Sequence, residues 1–190
     1  DEMAAAIDAD TTLLWRYPPR RLEAEAVRDA MLAVSGELNT AMGGPSFRPF
    51  TTTSFNATFY HPVDRDDPEL NRRTVYRMNV NSGKEPLLDA FDCPSPSVKT
   101  PTRGETITPL QALSLMNNSF VQRQADRLAS RVLEAAGGDL PLAVDRAYER
   151  GLGRQPTVEE RQRAVAAAGD RGLQSVCWAL LNSSEFLYVR

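Results

Sequence analysis

Residues 103–121 read RGETITPLQALSLMNNSFV, and this stretch decides the fold. Thr108 precedes Pro109 at the first helical position, and Gln111 follows three residues later. That is a capping box, in which a hydroxyl and an amide satisfy the backbone donors that a helix start leaves unpaired. An apolar stripe follows, and Asn118 before Ser119 signals a second helix start. None of these side chains supplies a nucleophile, an acid pair or a metal set, so the stretch predicts architecture.

Downstream the same punctuation repeats. The sequence predicts helices over Pro109 to Met116, Ser119 to Ala136, Leu140 to about Arg150, Val158 to Ala168 and Leu173 to Asn182. Gly137 and Gly138 end one helix and Asp139 caps the next, while Thr157 with Glu160 makes a second capping box. Leu173, Val176, Cys177, Leu180 and Leu181 recur at i, i+3, i+4, i+7 and i+8, a stripe that must face other helices. Upstream, Leu22, Ala26, Ala30 and Val34 recur every four residues from Arg20 to Ser35, with Val27 and Met31 beside them. Gly36 stands where a left-handed C-terminal cap is wanted.

Between these helical parts the character changes. Leu38 to Ile107 holds eight of the thirteen prolines and the Gly43–Gly44 breaker. Asn71 to Val80 alternates, with Thr74, Tyr76, Met78 and Val80 on one side, which is the period of a half-buried strand. Thr52 to Phe59 is its natural partner in a short hairpin. One helical turn at Pro86 to Phe91 and the loop FDCPSPSVKTPTRGET complete this excursion, which spans residues 45–107. Residues 1–18 read as an incoming segment that docks through Leu13, Leu14, Trp15 and Tyr17, ahead of Pro18. Residues 19–190 read as one helical domain. The expected fold is mainly α: an irregular or orthogonal bundle of five to six helices whose proline-rich middle contains a short β-hairpin.

Whole-chain properties narrow the functional classes. At 190 residues, 42% of them hydrophobic and 25% charged, the chain can bury a core without metal or disulfide staples. Net charge is −3, with 20 arginines and only Lys84 and Lys99 as lysines, so no basic face of the kind nucleic acid or anionic lipid needs is expected. No apolar run is long enough for membrane insertion. The chain begins at Asp1 without a signal-peptide pattern, which suggests an excised domain or a processed product. Cys93 and Cys177 form no CxxC, and their oxidation state is left open by a spacing of 84 residues.

The candidate sites are few. His61 is the sole histidine, which removes templates requiring histidine pairs or a Ser, His and acid set. Gly151 and Gly153 end a helix instead of opening a phosphate loop. Asp64, Asp66, Asp67 and Glu69 form the one dense oxygen-ligand cluster, and calcium could use Asp64, Asp66 and Glu69. Pro68 interrupts that pattern, however, and Arg65, Arg72 and Arg73 offer the acids partners. Arg72, Arg73 and Arg77, with Asp92, could line an anion pocket, because guanidinium forks match carboxylate, phosphate and sulfate. Pairing with Glu85, Asp89 or Asp92 competes for the same arginines, and Asp92 with Arg103 is a further expected pair. Asn117, Asn118, Asn182, Ser183 and Ser184 read as caps. Trp178 reads as packing and Trp15 as the better candidate for an exposed aromatic. No catalytic residue and no cofactor is predicted.

Taken together, RRLEAEAVRDAMLAVSG (20–36), RRTVYR (72–77), LLDAFDCPSPS (87–97), TPLQALSLMNNSFV (108–121), GLGRQPTVEER (151–161) and LLNSSEFLYV (180–189) resemble a planctomycete domain of unknown function. That domain lies at the C-terminal end of large proteins with cytochrome-c-like domains upstream. The resemblance implies an extracytoplasmic cell-envelope setting, with upstream domains of the same polypeptide or another protein as partners, and it carries over no catalytic residue. The expected function is a non-catalytic structural or interaction module. Two other readings are an accessory domain that binds or processes sulfated or carboxylated glycan, and a support domain for electron transfer by an upstream haem domain.

Overall fold

The computed structural model describes residues 2–13, 15–17, 19–81 and 83–189. Its elements are α1 (Glu2–Ile7), β1 (Arg20–Arg21), α2 (Ala24–Ser35), β2 (Phe50–Ser54), β3 (Thr58–Pro62), α3 (Pro86–Ala90), α4 (Pro109–Asn117), α5 (Ser119–Ala135), α6 (Leu140–Leu152), α7 (Val158–Arg171), α8 (Leu173–Leu181), α9 (Ser184–Leu187) and β4 (Tyr188–Val189). The architecture is a mainly helical bundle with a short hairpin, and six of its helices have nine or more residues. Helix α5 is the hub, packing on α8, α6 and α2, and α6, α7 and α8 pack on one another.

Local chemistry sets most of the helix ends. Both capping boxes form: Thr108 accepts from the Gln111 N–H and Thr157 from the Glu160 N–H, and the Gln111 and Glu160 side chains accept in return from the cap backbone. Asn118 caps α5, Asp139 caps α6 and Ser183 caps α9. Gly36 takes φ 84 at the end of α2, with its N–H on the Leu32 and Ala33 carbonyls. Antiparallel pairing of β1 with β4 sets Arg20 opposite Val189 and Arg21 opposite Tyr188, clipping the two ends of the bundle together.

Three expectations need correction. First, α2 starts at Ala24, because Arg20 and Arg21 are taken by β4. Its buried stripe is Ala24, Val27, Arg28, Met31, Leu32 and Ser35, while Leu22, Ala26, Ala30 and Val34 lie at the flank. Second, the hairpin lies within Phe50–Pro62, with Thr52 opposite Tyr60 and Thr53 opposite Phe59. Residues 71–80 are not a strand: a 3-10 turn occupies Thr74–Tyr76, and single bridges join Arg72 to Asn39 and Arg77 to Phe47. Most hairpin side chains are exposed on both faces, so no polar and apolar alternation marks its strands. Third, Asp92 pairs with Arg21 at 2.7 Å, whereas Arg103 binds Glu25 through two bonds of 2.6 and 2.9 Å.

Of the incoming segment, Leu13 and Tyr17 are exposed and Trp15 is half-buried, its indole N–H donating to the Asp8 carbonyl. Leu14 and Pro18 lie outside the described residues. Asp8 organises this segment locally, accepting from the Thr12 and Leu13 N–H groups.

Candidate functional site

Where the hairpin base, residues 63–71, α2, the start of α3 and the start of α5 converge, they enclose a cavity of about 220 Å³. Arg28 projects into it from the buried face of α2. Its guanidinium donates to the carbonyls of Leu70 at 2.6 Å and Arg72 at 3.1 Å and to the Thr74 hydroxyl at 3.2 Å. The rings of Phe47 and Phe120 lie 5.5 and 5.3 Å from the same guanidinium, which suits a cation over an aromatic face. The neighbouring Asp29 accepts from the Thr74 N–H and hydroxyl at 2.8 and 2.6 Å. Two adjacent residues of one helix thus hold residues 70–74.

Arg77 enters the cavity from the other side and, among the described residues, donates to the Gly83 carbonyl at 3.2 Å. Burial lowers the pKa of Arg77, with Glu85 the main opposing influence. Burial also lowers that of Arg28; Glu85 and Asp29 oppose this, and the like charge of Arg77 adds to it. Glu85 itself is occupied, because its carboxylate accepts from the Leu87 and Leu88 N–H groups as the cap of α3.

The four residues expected to share an anion pocket do not converge. Arg72 lies over Tyr76 at 4.1 Å and donates to the carbonyls of Ala41, Gly43 and Pro45. Arg73 is exposed, 3.9 Å from Asp29. Asp92 belongs to a separate knot with Arg21, Thr106 and Gln111, where its φ is 63. Burial raises the Asp92 pKa, but hydrogen bonds from Thr106 and the charge of Arg21 outweigh it, leaving the carboxyl below its ordinary value. Only Arg77 of the four lines the cavity.

The acidic loop is tied down in a way the sequence did not suggest. Asp64 accepts from Ser119 and from Arg123 at 2.6 Å, and Asp66 pairs with Arg127 one turn further along α5. Hydrogen bonds from Arg123 and Ser119 hold the Asp64 carboxyl below its usual range. Asp67 accepts from the Glu69 N–H and pairs with Arg65 at 2.8 Å. Among the described residues no group of three or more carboxylate, His or Cys side chains is assembled that could hold a metal ion.

The other singled-out residues sit in ordinary surroundings. His61 is exposed on β3, 3.1 Å from the Thr53 hydroxyl. Trp178 packs against the core and Trp15 is half-buried instead of exposed. Cys93 and Cys177 are free thiols, and burial pushes them up to about 11 and about 12, so both stay protonated near neutrality. Arg28 was missed, although an arginine inside an apolar stripe and followed by Asp29 was a readable signal.

The comparisons with known proteins add one finding. The family model PSD1, described as a protein of unknown function (DUF1553), matches residues 1–168. No curated protein and no solved structure matches the chain. No helix among the described residues is long and apolar enough to cross a membrane.

Proposed function

The chain belongs to the PSD1 family, whose description assigns no function, and we propose that it is a non-catalytic interaction module of a multi-domain, extracytoplasmic protein. In this reading the outer face of α4 packs against polypeptide that precedes the bundle. One observation carries it. Helix α4 is mostly apolar, yet it buries only Gln111 and Leu115, while Leu110 is 64%, Leu113 54% and Met116 45% exposed. Ile107, just before the helix, is 80% exposed.

The polar Gln111 is drawn inward because its amide donates to Thr106 and approaches Asp92. That rotation turns the leucines to the outside. A contiguous apolar strip of this kind marks a contact surface more often than it marks idle surface. Its position favours an occupant from the same polypeptide. The Arg21 backbone N–H donates to Glu105, two residues before Ile107, so chain arriving ahead of Arg20 is delivered beside the strip.

The test is a double variant, Leu110→Asp with Leu113→Asp, in a polypeptide that includes the upstream portion. In the domain without the upstream portion both sites are exposed, so there stability should move by no more than about 0.5 kcal/mol in chemical denaturation. Protection of α4 amides against hydrogen exchange by the upstream portion should disappear. Unchanged protection in the variant, or turnover of a glycan, ester or peptide by the purified domain, refutes the reading.

A further inference from the structure

We propose that the cavity between α2, the hairpin base and α5 binds a small organic monocarboxylate, its carboxylate held by Arg77 with Arg28 behind it and its apolar body against Pro49, Pro62 and Phe120. This goes beyond the α4 contact and does not depend on it. Arg28, Arg65, Arg77 and Arg123 all line the cavity, but Arg65 and Arg123 are paired with Asp67 and Asp64, and Glu85, the carboxylate that influences both Arg28 and Arg77, is already spent on backbone N–H groups of α3. Arg28 also has Asp29 at 3.8 Å, whereas half-buried Arg77 pairs with no carboxylate among the described residues, so a further negative charge is favoured beside Arg77.

The walls choose the class of anion. Planar guanidinium forks suit a carboxylate, and the proline and phenylalanine surfaces suit an apolar body. Asp64 and Asp66 also line the cavity but are paired with Arg123 and Arg127, so the preference for a monocarboxylate over phosphate rests on the apolar walls. Size agrees as well. A cavity of about 150 Å³ admits benzene, so one of about 220 Å³ has room for a ring bearing a carboxylate.

Benzoate, benzamide and inorganic phosphate are therefore the probes, titrated at constant ionic strength and followed by protein NMR. Benzoate should saturate with shifts centred on Ser119, Phe120 and the Arg77 side chain. Benzamide, of the same shape without the charge, should bind at least tenfold more weakly, and phosphate more weakly than benzoate. Arg77→Gln should weaken benzoate by roughly tenfold or more, as expected for loss of a hydrogen bond to a charged group. Arg77→Lys should lose less. Far-UV circular dichroism shows whether Arg77→Gln is folded; if it is not, Arg77→Lys alone is compared with the parent and must still weaken binding. Failure of benzoate to saturate, equal binding of benzamide, tighter binding of phosphate, or no weakening in the folded variants overturns the proposal. Loss or retention of the α4 contact has no bearing on these readouts.

Discussion

The helices from Ser119 onward and the seam of residues 37–85 both lean on α2, yet they are held by different forces. The first region is an apolar assembly in which Val121, Leu128, Val132, Val144, Cys177 and Leu181 are at most 1% exposed. The second contributes nothing to that core: no residue between Val34 and Leu87 belongs to the main apolar cluster. Its Phe47, Phe50 and Val80 are buried apart from it, around Arg28 and the hairpin base. What orders the seam is guanidinium chemistry, with Arg28 on Leu70 and Arg72, Arg72 on residues 41–45, and the Asp64 and Asp66 pairs to α5. Apolar burial is non-directional and cooperative, whereas each arginine fixes one named stretch of backbone. The bundle should therefore yield as a unit and the seam piece by piece.

The largest effect expected on this view comes from the bundle. Leu128 is fully buried on α5, so Leu128→Ala should cost about 2–5 kcal/mol through lost transfer energy and the cavity left behind. Urea denaturation read by circular dichroism should show a lower midpoint with an unchanged slope. Hydrogen exchange should show α5, α6 and α8 losing protection together. Exchange confined to α5 would break the cooperative half of the contrast.

A smaller and more local effect is expected for Arg28→Met. The aliphatic chain keeps much of the packing between Phe47 and Phe120, but the Leu70 and Arg72 carbonyls lose their donor. A cost of about 2–3 kcal/mol is reasonable for buried acceptors left unpaired. Amides of residues 70–77 should exchange faster while those of α8 keep their protection. Simultaneous loss in α8 would show that the seam is not a separable unit.

Asp92→Ala should cost about 2 kcal/mol. Alanine at φ 63 is strained, and the Arg21 side chain, only 4% exposed, loses its carboxylate. The figure is reduced from that of a fully buried pair because the Asp92 side chain is 21% exposed. Asp92→Asn tolerates the same backbone conformation and should lose less, which the two melting temperatures would reveal.

How much of this was legible follows the same division. The capping boxes at Thr108 and Thr157, the caps at Asn118 and Asp139 and the glycine at position 36 could be read because cap chemistry acts over three or four residues. The seam could not be read so easily, since its bonds span 42 to 46 positions for Arg28 and 55 to 61 for the acidic loop. Sequence proximity misassigned Asp92 to Arg103 when the partner was Arg21, 71 residues away. Arg72, Arg73 and Arg77 looked like one cluster, but Arg72 and Arg73 are neighbours ahead of the 3-10 turn at Thr74–Tyr76 with different partners, and that turn redirects the chain before Arg77. The alternation over residues 71–80 was real in composition, yet Thr74 bonds Asp29 while the Leu70 and Arg72 carbonyls face Arg28. No ladder could form with those groups engaged.

The smallest predicted effect separates the two regions by pH. In the bundle, Glu160 accepts from the Thr157 N–H at 2.7 Å and pairs with Arg154, which also binds Glu185. The hydrogen bonds from Arg154, followed by that from the Thr157 backbone, hold the Glu160 carboxyl at about 2, below its ordinary 4.5. A carboxyl whose folded value is depressed adds stability that is complete above its unfolded value and is lost as pH falls toward the folded one. The contribution of Glu160 should therefore be full above about pH 4.5 and fade as pH falls toward about 2. Glu160→Gln should have a lower melting temperature than the parent near neutrality and converge with it across that acid range. The Arg28→Met gap should keep throughout that range the part owed to the Leu70 and Arg72 carbonyls, because carbonyls do not titrate. A Glu160→Gln gap independent of pH would mean that the neutral cap, not the ion pair with Arg154, supplies the stability at that corner of the bundle.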